Sequence, residues 1–236
     1  MRVILLGPPG AGKGTLAKSL KESLDMAHIS SGDILREEMN RKTLLGNKVK
    51  EYIETGQLVP DEIVTKIIES RLTRNQTEES YLLDGFPRTE TQARDLDQIL
   101  SRIQKPIDLV IYMESTLPVI IQRLAGRRVC KVCGALFHVV NKPPKIRGIC
   151  DVCDGPLYER PDDQEDTIKT RMEVYLKNTA PIIEYYAAQG KLKKINANQD
   201  AEVVKEQLMR LFDEKASPQP ERYRASLNRK RGISQS

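Results

Sequence analysis

The sequence predicts an α/β protein: a five-stranded parallel sheet with helices on both faces, interrupted by two insertions. Three observations carry this. Short apolar runs recur along the chain, segments of helical periodicity separate them, and a glycine-rich turn follows the first run at once. Strands that alternate with helices form a parallel sheet whose two faces are covered by the crossovers.

In chain order the strand candidates are residues 3–6, 27–30, 81–84, 109–113 and 191–195, and the clearest helical stretches are 16–24, 61–72 and 89–103. Two segments break the alternation. Residues 30–59 have helical pattern with no strand after them, and residues 126–163 are rich in Gly, Pro, Cys and charge. Both are read as insertions at the carboxyl ends of strands, where sheets of this kind handle ligands. The expected division is a core of 1–29, 60–125 and 164–216, insertions over 30–59 and 126–163, and a tail over 217–236.

A chain of 236 residues is long enough for one such domain with its insertions. The formal net charge of +5 is concentrated in the tail, where Arg222, Arg224, Arg229, Lys230 and Arg231 stand against Glu221 alone. The rest of the chain is therefore near neutral, which argues against a broad nucleic-acid face. The tail has no apolar periodicity and is expected to be solvated and disordered. The first apolar run is cut by Gly and Pro after five residues, too short for a signal core or a membrane span, so a cytoplasmic protein is expected.

The first strand candidate leads into Gly7-Pro8-Pro9-Gly10-Ala11-Gly12-Lys13-Gly14-Thr15. A strand feeding a glycine-rich turn into a helix leaves backbone N–H groups pointing inward beside the positive end of the helix dipole, where phosphates fit. Lys13 would reach the transferred phosphoryl group. Gly14 stands where the generic phosphate-loop pattern has a hydroxyl, with Thr15 one place later.

Asp84 ends a fully apolar strand and is suited to hold the hydration shell of Mg2+. Gly85 follows it, so no acidic neighbour is offered to activate water. Arg36, Arg88, Arg123, Arg127, Arg128, Arg160 and Arg171 fall near strand ends or insertion edges, and guanidinium groups bind phosphate bidentately. An acceptor that is itself a phosphate, with a second pKa near ~6, needs no general base. Such a reaction requires charge neutralisation, exclusion of water and in-line alignment.

All four cysteines lie in one insertion, Cys130 and Cys133, then Cys150 and Cys153, each pair enclosing two residues, with sixteen between the pairs. In a reducing compartment this spacing points to zinc rather than to disulfides. Four sulfurs complete a tetrahedral shell and leave no position for a catalytic water, so the site is expected to be structural. His28 and His138 are read as structural residues, and His138 is not needed as a ligand.

The stretches "GPPGAGKGT", "ISSGDILR", "GQLVPDE", "LLDGFPRT", "GRRVCKVCG" and "DDQEDTIKTR" follow one another in an order that closely resembles adenylate kinases, in the long, zinc-containing bacterial form. The likeness covers residues 1–212. It implies a P-loop NTPase fold, the reaction ATP + AMP = 2 ADP with Mg2+, a lid over 126–163 carrying structural Zn2+, and an AMP-binding lobe over 30–59. In that family Gly14 between Lys13 and Thr15 is the usual arrangement.

Carried over by position, Gly10, Ala11, Gly12, Lys13, Gly14 and Thr15 would hold ATP, with Arg123 on it and Arg127, Leu136, Phe137 and Gln199 near its adenine. Ser31, Arg36, Gln57, Leu58 and Val59, then Gly85, Phe86, Pro87, Arg88 and Gln92, would form the AMP site. Arg160 and Arg171 would close across the phosphates, and Lys13, Asp84, Arg88, Arg123, Arg160 and Arg171 would carry the catalysis. Ser31 replaces a commoner threonine, and the basic tail has no counterpart. The family also implies a monomer, without nucleic-acid or membrane partners.

Two other functions compete on the residues alone. A UMP or CMP kinase would share the phosphate chemistry and differ in the base pocket, where Gln92 suits an adenine edge. An ATP-dependent zinc-ribbon nucleic-acid binder would need more stacking residues than Phe137 alone supplies in the cluster.

Overall fold

The computed structural model describes residues 1–41, 43–74 and 79–216; the basic tail expected over 217–236 lies outside the described residues. The core is a parallel sheet of β1 (Arg2–Leu6), β2 (Ala27–Ser30), β3 (Tyr81–Asp84), β4 (Leu109–Glu114) and β8 (Leu192–Asn196), in the order β2-β3-β1-β4-β8. Central β1 pairs Val3 with Leu82 on one side and with Leu109 on the other.

The side-chain period of two divides this sheet between two cores. Val3 and Leu5 face a cluster with Leu16, Leu20 and Leu24 of α1 (Lys13–Leu24) and Val204, Leu208 and Phe212 of α9 (Ala201–Ala216). Ile4 and Leu6 face the opposite cluster. There they meet Ile68 of α4 (Asp61–Arg74), Leu96 and Leu100 of α5 (Glu90–Arg102) and Ile182 and Tyr186 of α8 (Pro181–Ala188). Burial on both faces explains why these strands read as continuous apolar runs, and each wholly buried Leu or Ile contributes about 1.5–3 kcal/mol.

The first insertion folds as α2 (Ser31–Asn40) and α3 (Leu44–Glu54). Ser30 caps α2 by accepting from the Asp33 N–H (3.2 Å), and Thr43 caps α3 by accepting from the Gly46 N–H (2.9 Å). The second insertion leaves α6 (Leu117–Ala125) and forms an antiparallel sheet of β5 (Arg127–Cys130), β6 (Leu136–His138) and β7 (Leu157–Tyr158), in the order β6-β5-β7. Its two- to four-residue strands have too little alternation to be seen in sequence. A 3-10 turn (Pro161–Asp163) then leads into α7 (Glu165–Val174), and one π-helical turn (Tyr175–Thr179) joins α7 to α8. Among the described residues no helix is long and apolar enough to cross a membrane.

Candidate active site

The carboxyl ends of β1, β2 and β3 open into one cleft, lined by Lys13, Ser31, Arg36, Gln57, Leu58, Val59, Gly85, Pro87, Arg88, Gln92 and Arg171. Sequence reasoning named all of these. The cleft also takes Asp162, at the end of the second insertion, and Tyr175 and Thr179 from the segment that follows it, none of which sequence reasoning named.

On the floor, the glycine-rich loop wraps the start of α1. Gly10 has φ +79°, and a Cβ there would stand 2.9 Å from Leu124 Cγ and 3.0 Å from the Ile120 carbonyl oxygen, so only glycine fits. Gly12 starts α1 without a side-chain cap, which leaves the first-turn N–H groups to bind an anion. Lys13 Nζ donates to the carbonyls of Gly7 (2.7 Å) and Pro8 (2.8 Å), which fixes the ammonium over the loop.

Asp84 lies against the same loop, its Oδ2 3.4 Å from where a Cβ on Gly14 would stand. The same oxygen is 3.3 Å from His28 Nε2. His28 is thus tied to the candidate magnesium-binding carboxylate, a contact between adjacent strands whose register no local sequence pattern reveals. Arg123 donates to the carbonyls of Ala197 (2.7 Å) and Gln199 (3.2 Å), and its NH1 lies 3.5 Å from the Ala11 carbonyl, which brings Gln199 near the loop.

On the first-insertion side, Ser31 is buried and donates to the Gly85 carbonyl (2.6 Å). Gly85 has φ +75°, and a Cβ there would come within 2.9 Å of Ser31 Oγ. Arg88 donates from Nε to the Gly85 carbonyl (2.8 Å), while its own carbonyl accepts from Thr179 Oγ1 (2.8 Å) in the π-helical turn. Phe86, between them, is wholly buried in the core, so its side chain anchors the loop.

Two adjacent carboxylates missed by sequence reasoning organise the far wall. Asp163 receives a two-pronged donation from Arg127, and Arg171 NH1 donates to the Asp162 carbonyl (2.7 Å) and lies 3.1 Å from Asp162 Oδ2. Asp33, on α2, pairs with Arg36 (2.7 Å) and reaches Arg160 at 4.0 Å, so the two insertions meet across the cleft. Lys18 of α1 donates to the Gly134 carbonyl in the second insertion (2.7 Å). The visible signals for Asp162 and Asp163 were their place at the end of an arginine-rich insertion and at the head of the stretch "DDQEDTIKTR", and neither assigned them a role.

Positive charge dominates. Burial lowers Lys13 to about 8, opposed by Asp84 and reinforced by Arg88, Arg171 and Arg127. Burial, with repulsion from Arg171 and Arg36, lowers Arg88 to about 10, and burial with Arg36 and Arg127 does the same to Arg160. Burial would raise Asp162, yet Arg171, Arg36, Arg127 and Arg160 outweigh it and hold the carboxyl below its ordinary range. Arg160 Nε is buried without a hydrogen-bond partner. So many crowded cations beside so few carboxylates fit a polyphosphate.

The four cysteines form a separate cluster in the small sheet. All are unbridged, with their sulfurs within 4.8 Å of one another, Cys130 to Cys153 at 3.5 Å and Cys133 to Cys150 at 3.6 Å. Tetrahedral zinc at Zn–S of about 2.3 Å needs sulfurs roughly 3.8 Å apart, so this set can hold one metal ion. Cys130 Sγ accepts N–H bonds from Cys133 and Val132, which draw its thiol down and favour the ligating thiolate. Phe137 packs with Cys130 and Cys150, so its ring belongs to this small core, while Leu136 beside it is half-buried. His138 is not among the ligands. Its Nδ1 accepts from the N–H groups of Val140 (3.1 Å) and Asn141 (3.0 Å), and its Nε2 lies 3.1 Å from the Gln122 carbonyl, which pins the insertion to α6.

Residues 5–191 match the family model described as adenylate kinase. The chain is 52% identical to an adenylate kinase of Caldicellulosiruptor bescii over 192 residues, covering 81% of this chain and 89% of that protein. It is 50% identical over 212 residues to one of Caldicellulosiruptor saccharolyticus (89% and 99% covered), and 45% over 209 residues to one of Thermosipho melanesiensis (88% and 98%). With the phosphate loop, the arginine-lined cleft and the parallel sheet beneath them, this chain belongs to the adenylate kinase family.

Proposed function

We propose that the protein catalyses reversible phosphoryl transfer from ATP to AMP, giving two ADP, through phosphate positioning and charge neutralisation without a general base. The observation that carries this reading is the convergence of Lys13, Arg36, Arg88 and Arg171 on one cleft between the phosphate loop and the first insertion. ATP occupies the loop 10–15, with Arg123 on it, Arg127 beside its base together with Leu136 and Phe137, and Gln199 also towards the base. AMP occupies the cleft, its phosphate on Arg36 and Arg88 and its base among Gln57, Leu58, Val59 and Gln92.

Lys13 and the N–H groups of α1 hold the donor phosphates, and Arg88 holds the acceptor, so the two reacting groups lie in line. Arg160 and Arg171 neutralise the charge spread over the transferring group. Asp84 would help hold the Mg2+ that accompanies ATP, and the ion would supply further neutralisation of the phosphate charge. The acceptor arrives as a dianion and needs no proton removed.

In this reading residues 30–59 are the AMP lobe and 126–163 the lid, closing on a core of 1–29, 60–125 and 164–216. Closure excludes water that would otherwise take the phosphoryl group. The contacts of Lys18 with Gly134 and of Asp33 with Arg160 support this closed arrangement. The cysteine set binds zinc as a structural ion, since a lid with so small a core gains its stability from ligation. The enzyme works as a cytoplasmic monomer, with ATP, AMP and ADP as its partners.

The test is steady-state ADP formation from MgATP with each nucleoside monophosphate in turn. AMP is expected to be preferred by orders of magnitude. Equal or better use of CMP or UMP would assign the cleft to a pyrimidine acceptor.

A further inference from the structure

Gln92 is 2% exposed and lines the cleft, and both ends of its amide already have protein partners. Its Oε1 accepts from the Arg88 backbone N–H (2.8 Å), and its Nε2 donates to Asp61 Oδ1 (2.7 Å). The other Asp61 oxygen accepts from Thr89 Oγ1 (2.7 Å), which in turn accepts from the Gln92 backbone N–H (3.1 Å) as the cap of α5. A carboxylate only accepts and a backbone N–H only donates. The amide therefore has one permitted orientation, nitrogen towards Asp61 and oxygen towards Arg88.

One N–H and one oxygen lone pair of the amide remain uncommitted. Their order is fixed by the two partners, and order is what distinguishes purines. A 6-aminopurine offers a donor at N6 beside an acceptor at N1; a 6-oxopurine offers an acceptor at O6 beside a donor at N1. For a base held in one orientation by its ribose and phosphate, an amide locked one way round pairs with one of the two and presents like against like to the other. An AMP site makes the 6-aminopurine the one that pairs. Asp61 also stands two residues beyond 57–59, the other predicted wall of the base pocket, so one side chain ties both walls together.

We propose that Asp61 is a specificity-determining positioning residue. By locking the Gln92 amide it sets the preference for 6-amino over 6-oxo purine monophosphates. This rests on the reading that Gln92 meets the base of the acceptor. Asp61 acts through Gln92 and does not touch the reacting phosphates.

The experiment compares kcat/KM for AMP and for inosine monophosphate in the wild type, D61L, D61N, Q92A and D61L/Q92A. D61L removes one of the two constraints, a hydrogen bond worth about a factor of ten, so the AMP-to-IMP ratio should fall roughly tenfold while KM for ATP stays put. D61N keeps an acceptor for Gln92 and an amide N–H for Thr89, and should retain most of the ratio. In the Q92A background, adding D61L should leave the ratio unmoved, because the group it orients is gone. D61A, read in the same assay, serves if D61L does not fold.

An unchanged ratio in D61L or D61A overturns the proposal, as does an equal loss in both backgrounds, the mark of a merely structural role. If Q92A leaves KM for AMP unchanged, the base-contact reading itself falls and the proposal with it. That outcome is distinct from the other two.

Discussion

Replacing Arg160 with methionine should separate stability from turnover, because the two respond with opposite sign. The Arg160 side chain is 12% exposed, its Nε has no partner, and Arg36 and Arg127 repel it. Its pKa drops from 12.5 to about 10. At ~1.4 kcal/mol per tenfold, keeping the charge costs the folded protein roughly 3 kcal/mol. A base with a lowered folded pKa carries that cost in full at every pH below the folded value, neutral pH included. Methionine keeps much of the aliphatic packing and removes the charge. Thermal unfolding of the free protein should therefore show a melting temperature unchanged or raised. Turnover should fall by about 10²–10³, the loss typical when one preorganised charge-stabilising donor is removed. Steady-state ADP formation and a melting curve on one preparation decide it. Unaltered turnover, or clear destabilisation with turnover lost in proportion, would refute the reasoning.

Two further outcomes follow from the same electrostatics and from the cysteine cluster. With Lys13 lowered to about 8 from an ordinary 10.5, kcat/KM should fall as pH rises above about 8, because the free enzyme loses the ammonium that holds the donor phosphates. The sign for stability is the reverse. Lys13 disfavours folding while protonated in both states, and that penalty fades between about pH 8 and 10.5, so its share of stability rises over the window in which activity is lost. A flat kcat/KM profile to pH 9.5 would contradict the buried-lysine argument. Cys150, wholly buried with its sulfur 3.6 Å from that of Cys133, should on change to serine lower both bound metal and melting temperature, by elemental analysis and calorimetry. Lost turnover with full metal content and an unchanged melting temperature would instead give the cluster a role in the chemistry.

Much of the fold was legible because the sheet is buried on both faces. Runs such as Val3-Ile4-Leu5-Leu6 have no polar side to obscure them, and the phosphate loop marks the carboxyl edge of the sheet by its glycines. The small sheet of β5, β6 and β7 was not legible. Its strands are two to four residues long, held largely by the cysteine turns between them, and carry no apolar period. The site divides in the same way. Residues within a motif, such as Lys13 or Arg88, announce themselves by local spacing. Partners fixed by tertiary contact do not: Asp61 reaches Gln92 across 31 residues, Asp163 reaches Arg127 across 36, and His28 meets Asp84 across 56. Each is a polar residue whose purpose exists only once two distant segments are brought side by side.

The central claim is that the phosphoryl group passes to AMP and not to water, and 31P NMR of the complete protein with MgATP and AMP observes that directly. The account predicts two ADP formed for each ATP consumed, strict dependence on AMP, and no growth of the orthophosphate resonance on the timescale of transfer. Orthophosphate appearing in step with ADP, or ATP consumption that proceeds equally without AMP, would contradict it.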